Sequence, residues 1–424
     1  MVKRVRRAYS ALFACALPLL LVRLWWLGIV NPAYRLRWRE RLGWYSHPRP
    51  AVRPIWIHAV SVGEVNAAAP LIKALRERDR DIPILLTTTT PTGYDTVARL
   101  FGQGVQHAYF PYDFSPIVVR FLNYFTPRLL LLMETELWPN VIHACGARRV
   151  PVCLINGRLS SKSARQYALI RPLVQPMLAG LWHAAMQSDT DALRLIGIGA
   201  RPEAVSVTGS LKFDIYIPPS VYEEAAALRR NLGQDRPIFM AGSTRPREED
   251  ALIEIYAELK ERFPNLLMVL APRHPERFAE VAALCEVRGL KMQRRSSGTE
   301  CVPSIEILLL DSMGELVRFY AASDVAFVGG SIAPLGGHNV LEPAGLGVPI
   351  VTGPHLFNFA EIAAKLIAGG SLKVANTSSE IVEITSSWLS SSDTRDLAGR
   401  TGREIVEANR GATMRILAVL DATL

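Results

Sequence analysis

The chain has 424 residues, 49% hydrophobic and 21% charged. That composition excludes disorder, and the length exceeds one ordinary core, so two domains of roughly 180–200 residues are expected. The net charge is +9, yet the first 50 residues alone hold ten Lys or Arg against one Glu, leaving the rest neutral. A nucleic-acid binder carries its basic surface on folded domains instead. Five scattered cysteines without a C-x-x-C pair exclude a zinc ribbon or disulfide framework and fit a reducing compartment.

The first element is the apolar run 8–30, whose only charge is Arg23. Lys3, Arg4, Arg6 and Arg7 precede it; Arg35, Arg37, Arg39 and Arg41 follow it. No small-x-small site ends the run, which argues against a cleaved signal. The span is long enough to cross a bilayer, while Arg23, Trp25 and Trp26 suit a segment seated at headgroup level. A retained membrane anchor over 1–45 is expected, spanning or interfacial.

From residue 54, short apolar runs alternate with amphipathic stretches, as βα units of a parallel sheet require. Expected strands are 55–59, 84–88, 106–110, 129–133, 152–156, 184–187 and 206–208, with helices such as 65–79 and 190–195 between them. The pattern loosens through Ile217-Pro218-Pro219-Ser220 and a helical 221–232. A second series follows at 238–241, 267–271, 307–310, 325–328 and 349–352. The reading is α/β: two doubly wound Rossmann-like domains, 46–213 and 237–424, joined by a linker at 214–236. A cleft between them would receive ligand at the strands' carboxyl ends.

The first strand ends in His58-Ala59-Val60-Ser61-Val62-Gly63-Glu64. A Gly before a helix start lets backbone approach a ligand, and the helix N-terminus favours an anion or a sugar. Glu64 is a candidate catalytic carboxylate, or a first-turn residue that complements the helix dipole. The wholly apolar strand 129–133 ends in Glu134-Thr135-Glu136-Leu137-Trp138-Pro139. A carboxylate partly buried there, or paired with a cation, suits proton transfer near neutral pH; helix capping is the alternative. Asp189-Thr190-Asp191 fits a metal-binding D-x-D, but a helix N-cap at Asp189 or Thr190 accounts for it.

In the second half, Gly329-Gly330-Ser331 and Gly336-Gly337-His338-Asn339 follow a strand and precede a helix, a turn type that holds phosphate by backbone N–H groups. Neither P-loop nor G-x-G-x-x-G spacing is present. Asn339 and Glu342 share a helix face, where Glu342 suits ribose hydroxyls. Arg273, ending another strand, suits phosphate or carboxylate. Asp311-Ser312-Met313-Gly314-Glu315 ends the next one.

Taken together, His58-Ala59-x-Ser61-x-Gly63-Glu64, Met133-Glu134-Thr135-Glu136-Leu137-Trp138-Pro139, Asn156-Gly157-Arg158, Gly209-Ser210-Leu211-Lys212-Phe213-Asp214, Ala271-Pro272-Arg273-His274-Pro275 and Gly336-Gly337-His338-Asn339-x-Leu341-Glu342-Pro343 resemble the Kdo (3-deoxy-D-manno-octulosonic acid) transferases across essentially the whole chain. The resemblance implies the GT-B glycosyltransferase fold and inverting transfer of Kdo from CMP-Kdo to the glucosamine disaccharide of a lipid A precursor. By the same resemblance Glu64 is the general base, and Glu134 and Lys212 stabilise the transition state. Pro272, Arg273, Met313, Gly314, Glu315, Asn339, Val340, Leu341 and Glu342 form the CMP site. No metal, other cofactor or nucleic acid is implied, and the enzyme would sit at the bacterial inner membrane facing the cytoplasm. On the residues alone, two rivals stand: another GT-B sugar-nucleotide transferase acting on a membrane lipid, and a nucleotide-dependent recruitment protein without turnover. Carboxylates at strand ends in both halves speak against the second.

Overall fold

The computed structural model describes residues 2–423 apart from His47 and Glu300, and the side chains of all of these except Val2 and Lys3. Lys3 of the basic flank therefore lies outside the described side chains. The chain divides into two compact units: residues up to Asp214 together with those from Arg410 onward, and Ile215–Asn409.

The first unit holds seven strands: β1 (Ile55–His58), β2 (Ile84–Thr88), β3 (Gln106–Tyr109), β4 (Leu129–Met133), β5 (Val152–Gly157), β6 (His183–Met186) and β7 (Val205–Val207). All pair in parallel in the order β3-β2-β1-β4-β5-β6-β7. The apolar run of β4 follows from burial on both faces. Leu130 and Leu132 enter a cluster with Trp56, Phe121 and Phe125, while Leu129, Leu131 and Met133 enter another with Leu71 and Ile72. Each fully buried Leu gains roughly 1.5–3 kcal/mol, which is why this strand, covered on both faces, is apolar throughout.

The second unit repeats the plan with β8 (Ile238–Thr244), β9 (Leu267–Pro272), β10 (Met292–Arg294), β11 (Ile307–Leu309), β12 (Val325–Val328), β13 (Ile350–Thr352) and β14 (Leu372–Val374), in the order β10-β11-β9-β8-β12-β13-β14. In each sheet the strand order reverses beside the first strand, between β1 and β4 and between β8 and β12. Those switch points are where such sheets take ligands.

Two expected boundaries need correction. The segment read as a linker belongs to the second unit: its expected helix, Ser220–Leu232, packs on the helix Leu316–Ala321. Its Arg229 bonds Asp324 Oδ2 at 3.0 Å and the carbonyl of Ala322 at 3.0 Å, fixing it to the second unit. Residues from Arg410 onward belong to the first unit, not the second. Asp214 accepts the Gly411 N–H at 2.7 Å, and Ile416, Leu417 and Leu420 of the helix Ala412–Leu420 join the cluster around Leu71. The N-terminal helix Val2–Val30, expected as a membrane anchor, is also bonded to the first unit. Tyr9 donates to Asp113 Oδ2 at 2.9 Å, and Arg6 and Ser10 donate to Asn140 Oδ1 at 3.2 and 2.9 Å. Its stretch Arg4–Val30 is long and apolar enough to cross a membrane, and Leu12, Leu19, Val22, Trp25 and Trp26 stay exposed. Two residues of the basic flank are tied into the fold. Arg37 pairs with Glu40 at 2.7 Å, and buried Arg41 donates to the Thr89 carbonyl at 2.9 Å.

Candidate active site

In the first unit, β1 leads through Ala59 and Val60 into the helix Val62–Arg78, whose N-cap is Ser61. Ser61 Oγ accepts the Glu64 N–H, while the Glu64 carboxylate accepts the Val60 N–H at 2.9 Å and the Ser61 hydroxyl at 3.3 Å. This reciprocal arrangement is a variant of the capping box, the carboxylate reaching the N–H one residue before the N-cap, and it fixes the rotamer of Glu64. Capping alone does not require the electrostatics that surround it. Burial pushes the Glu64 pKa from 4.5 to about 8, and Glu134 and Glu136 add to the rise against the two hydrogen bonds. Gly63 lies inside the first helical turn, not before it. A Cβ there would meet only Ser61 Oγ, at 3.8 Å, so the space above the turn is open.

Glu134 follows β4 in a left-handed conformation, φ 53°, with its N–H bonded to the Ile155 carbonyl at 3.0 Å. A non-glycine residue held there costs of order 1–3 kcal/mol, a cost met most often at functional sites. Lys212 Nζ stands 3.6 Å from Glu134 Oε1. The short turn Leu211–Phe213 that carries Lys212 hangs on buried Asn156, whose Oδ1 accepts the Leu211 N–H at 3.0 Å. Glu136 accepts the Trp138 indole N–H at 2.9 Å and lies 3.7 Å from His58 Nε2. The His58 ring stacks on Phe110, with centroids 3.7 Å apart. The structure thus brings together all three catalytic candidates and adds Glu136, His58 and Asn156.

In the second unit the glycine turn differs from expectation. The buried carboxylate of Glu248 accepts the N–H groups of Gly330, Ser331 and Ile332 at 2.8, 3.0 and 2.9 Å, and that of Arg245 at 3.0 Å. The turn's N–H groups are therefore spent on Glu248, not open to phosphate. A Cβ on Gly329 would lie 2.4 Å from the Ser243 carbonyl oxygen, so this glycine serves close packing. Charge gathers nearby. The Arg273 N–H bonds the Thr244 carbonyl at 3.0 Å, and Arg245 contacts His274. Burial first, then the positive field of Arg273, Arg245 and His274, lowers the His338 pKa to about 4, so the ring is neutral at pH 7.

Asn339 donates to Glu342 Oε1 at 3.0 Å, and burial raises the Glu342 pKa against the pull of Asn339 and Arg273. Val340 and Leu341 are core side chains, so backbone is what they present. Pro272 closes β9; exposed Met313 and Gly314, φ 87°, follow β11. The Glu315 side chain is already engaged: burial raises its pKa, but Ser312, Arg295 and Arg318 outweigh this and hold it low. Sequence reading missed Arg245 and Glu248, although Gly242-Ser243-Thr244-Arg245 ends a strand much as Ala271-Pro272-Arg273 does.

The D-x-D segment is capped by Ser188, correcting the assignment to Asp189 or Thr190. Ser188 Oγ accepts the Asp191 N–H at 3.2 Å and donates to Asp191 Oδ2 at 2.6 Å, while buried Asp191 accepts the Leu159 N–H at 2.8 Å and Asp189 is exposed. Among the described residues no group of three or more His, Cys, Asp or Glu is placed to hold a metal ion.

Two parallel seven-stranded α/β units, each with charged groups beyond its switch point, define a GT-B-type protein. In fold it is similar to UDP-GlcNAc 2-epimerase from Neisseria meningitidis, with a TM-score of 0.57 at 13% identity over 87% of this chain and 99% of that one. The family described as 3-deoxy-D-manno-octulosonic-acid transferase (kdotransferase) matches residues 36–215. A 3-deoxy-D-manno-octulosonic acid transferase of Haemophilus influenzae is 39% identical over 97% of both chains, and one of Bordetella pertussis is 41% identical over 88% of both. The chain belongs to the Kdo transferase family and is a glycosyltransferase.

Proposed function

We propose that the chain transfers Kdo from CMP-Kdo to the glucosamine disaccharide of a lipid A precursor, releasing CMP, in lipopolysaccharide core assembly at the cytoplasmic face of a bacterial inner membrane. Glu64, ionised, takes the proton of an acceptor hydroxyl as that oxygen bonds to the anomeric carbon of Kdo. The bond from that carbon to the phosphate breaks on the opposite face, and its electron pair leaves with CMP, so configuration inverts. Lys212, held near Glu134, meets the Kdo carboxylate; Arg273, with Arg245 beside it, meets the phosphate. Asn339 and Glu342 receive the nucleoside. The N-terminal helix offers its exposed Leu and Trp side chains to lipid.

The observation that carries this reading is Glu64, a carboxyl fixed by a capping box yet raised to about 8 by burial and like charge. The test is CMP release from CMP-Kdo with a tetraacylated, bisphosphorylated glucosamine disaccharide as acceptor. Release that depends on the acceptor, with Kdo found on the lipid by mass spectrometry, supports the assignment. A purified full-length protein that binds CMP-Kdo but releases no CMP sinks it.

A further inference from the structure

Within the first unit, a groove of about 390 Å³ runs between the N-terminal helix and the carboxyl edge of the sheet. Phe13, Leu20, Leu24 and Leu27 form its apolar side; Phe110 and Trp138 close the other. Its polar groups include Arg23 at the rim and Arg41 within. Arg41 is 5% exposed, and its Nε has no hydrogen-bond partner among the described residues. A buried guanidinium N–H left unpaired is costly, and an anion reaching it would remove that cost.

The groove also leads somewhere. Thr89, in its wall, bonds the Val60 carbonyl through its N–H and its hydroxyl, both at 3.2 Å, and the Val60 N–H is the donor that holds Glu64. Phe110 is the ring on which His58 stacks, and Trp138 donates to Glu136. One wall of the groove is therefore built from the residues that support the catalytic carboxylates. The other is the helix whose outer face is exposed apolar surface.

We propose that this groove is an acceptor subsite: an acyl chain of the lipid lies against Phe13, Leu20, Leu24 and Leu27, and its phosphate is held by Arg41 and Arg23. The inference rests on the reading that the acceptor is a phosphorylated glycolipid. It makes the helix part of the binding site as well as an anchor. The occupant is the acceptor itself, because the groove's inner end is one residue's hydrogen bonds from the Glu64 loop.

The experiment uses full-length protein in nonionic detergent micelles. Equilibrium binding is measured for the tetraacylated bisphosphorylated glucosamine disaccharide and for its deacylated counterpart. Leu20→Trp, which fills the groove from a half-exposed position, should weaken binding of the acylated lipid about tenfold, on the order of the apolar contact displaced. Binding of the deacylated sugar should change less than twofold. Arg23→Glu should weaken both bisphosphorylated ligands, and Leu19→Trp, on the outer face, neither. Equal weakening of both ligands by Leu20→Trp, or none, overturns the subsite. An effect seen only with anionic vesicles and absent in micelles also overturns it, since bulk lipid would then be the occupant. Kdo transfer by wild-type protein is followed separately. Intact acyl-dependent binding without transfer defeats the assigned reaction, whereas transfer without any effect of the groove variants defeats the groove.

Discussion

Beyond β1 and β4 the first unit gathers Glu64, Glu134 and Glu136 near Lys212, while the second gathers Arg245, Arg273 and His274 around His338. The same two forces, burial and like charge, act on both and drive pKa values in opposite directions. Glu64 is raised to about 8 and His338 is lowered to about 4. Each site thereby holds a group whose charged form is disfavoured at pH 7. The consequences differ: a carboxyl near 8 can exchange a proton under working conditions, while an imidazole near 4 cannot. On the proposed function, the first unit would move the proton and the second would hold the donor's phosphate without supplying one.

Glu64→Gln breaks the first half of this contrast most sharply. The amide oxygen still caps the Val60 N–H, so the fold and CMP-Kdo binding persist, and kcat should fall about 10²-fold or more. Turnover within a few-fold of wild type removes Glu64 from the chemistry. Arg273→Ala tests the second half: KM for CMP-Kdo should rise on the order of tenfold to a hundredfold with kcat less affected, as loss of a charge-assisted hydrogen bond implies. A lowered melting temperature with KM unmoved would assign Arg273 to structure alone.

The pH dependence sharpens the comparison with a smaller effect. Because the folded state raises the Glu64 pKa from 4.5 to about 8, its protonated form favours folding. That stability is fully present below 4.5 and is lost as pH rises through 8. Glu64→Gln should therefore melt increasingly above wild type between pH 5 and 8, the gap levelling beyond; a constant gap contradicts the shift. In wild type, kcat/KM should climb towards an inflection near pH 8. The smallest effect belongs to Asp189→Asn, which should leave the rate within about twofold in the presence of EDTA. A large loss, or activity that needs added Mg²⁺, would restore the D-x-D reading.

The central strands were legible because a parallel strand buried on both faces is mostly apolar, as β4 illustrates. The edge strands β10 and β14 escaped because Met292-Gln293-Arg294 and Leu372-Lys373-Val374 are three residues long, and their exposed sides carry ordinary polar groups. Glu64, Glu134 and Lys212 could be picked out by position and resemblance, but their mutual approach depends on Asn156 and on a left-handed backbone at Glu134. Glu248 was invisible for a related reason. In Glu248-Glu249-Asp250 it reads as a first-turn acid, and the N–H groups it satisfies lie more than 80 residues further on.

The return of the helix Ala412–Leu420 to the first unit bears on the order of events during synthesis. Residues 215–409 are contiguous, so the second unit has all of its chain once Asn409 has been made. The first unit, begun earlier, lacks Ala412, Ile416, Leu417 and Leu420 of its core until those are made too. The unit translated first is thus the one whose chain is completed last. Between those moments, the apolar faces of Leu71 and Ile72 wait for a partner more than 340 residues downstream.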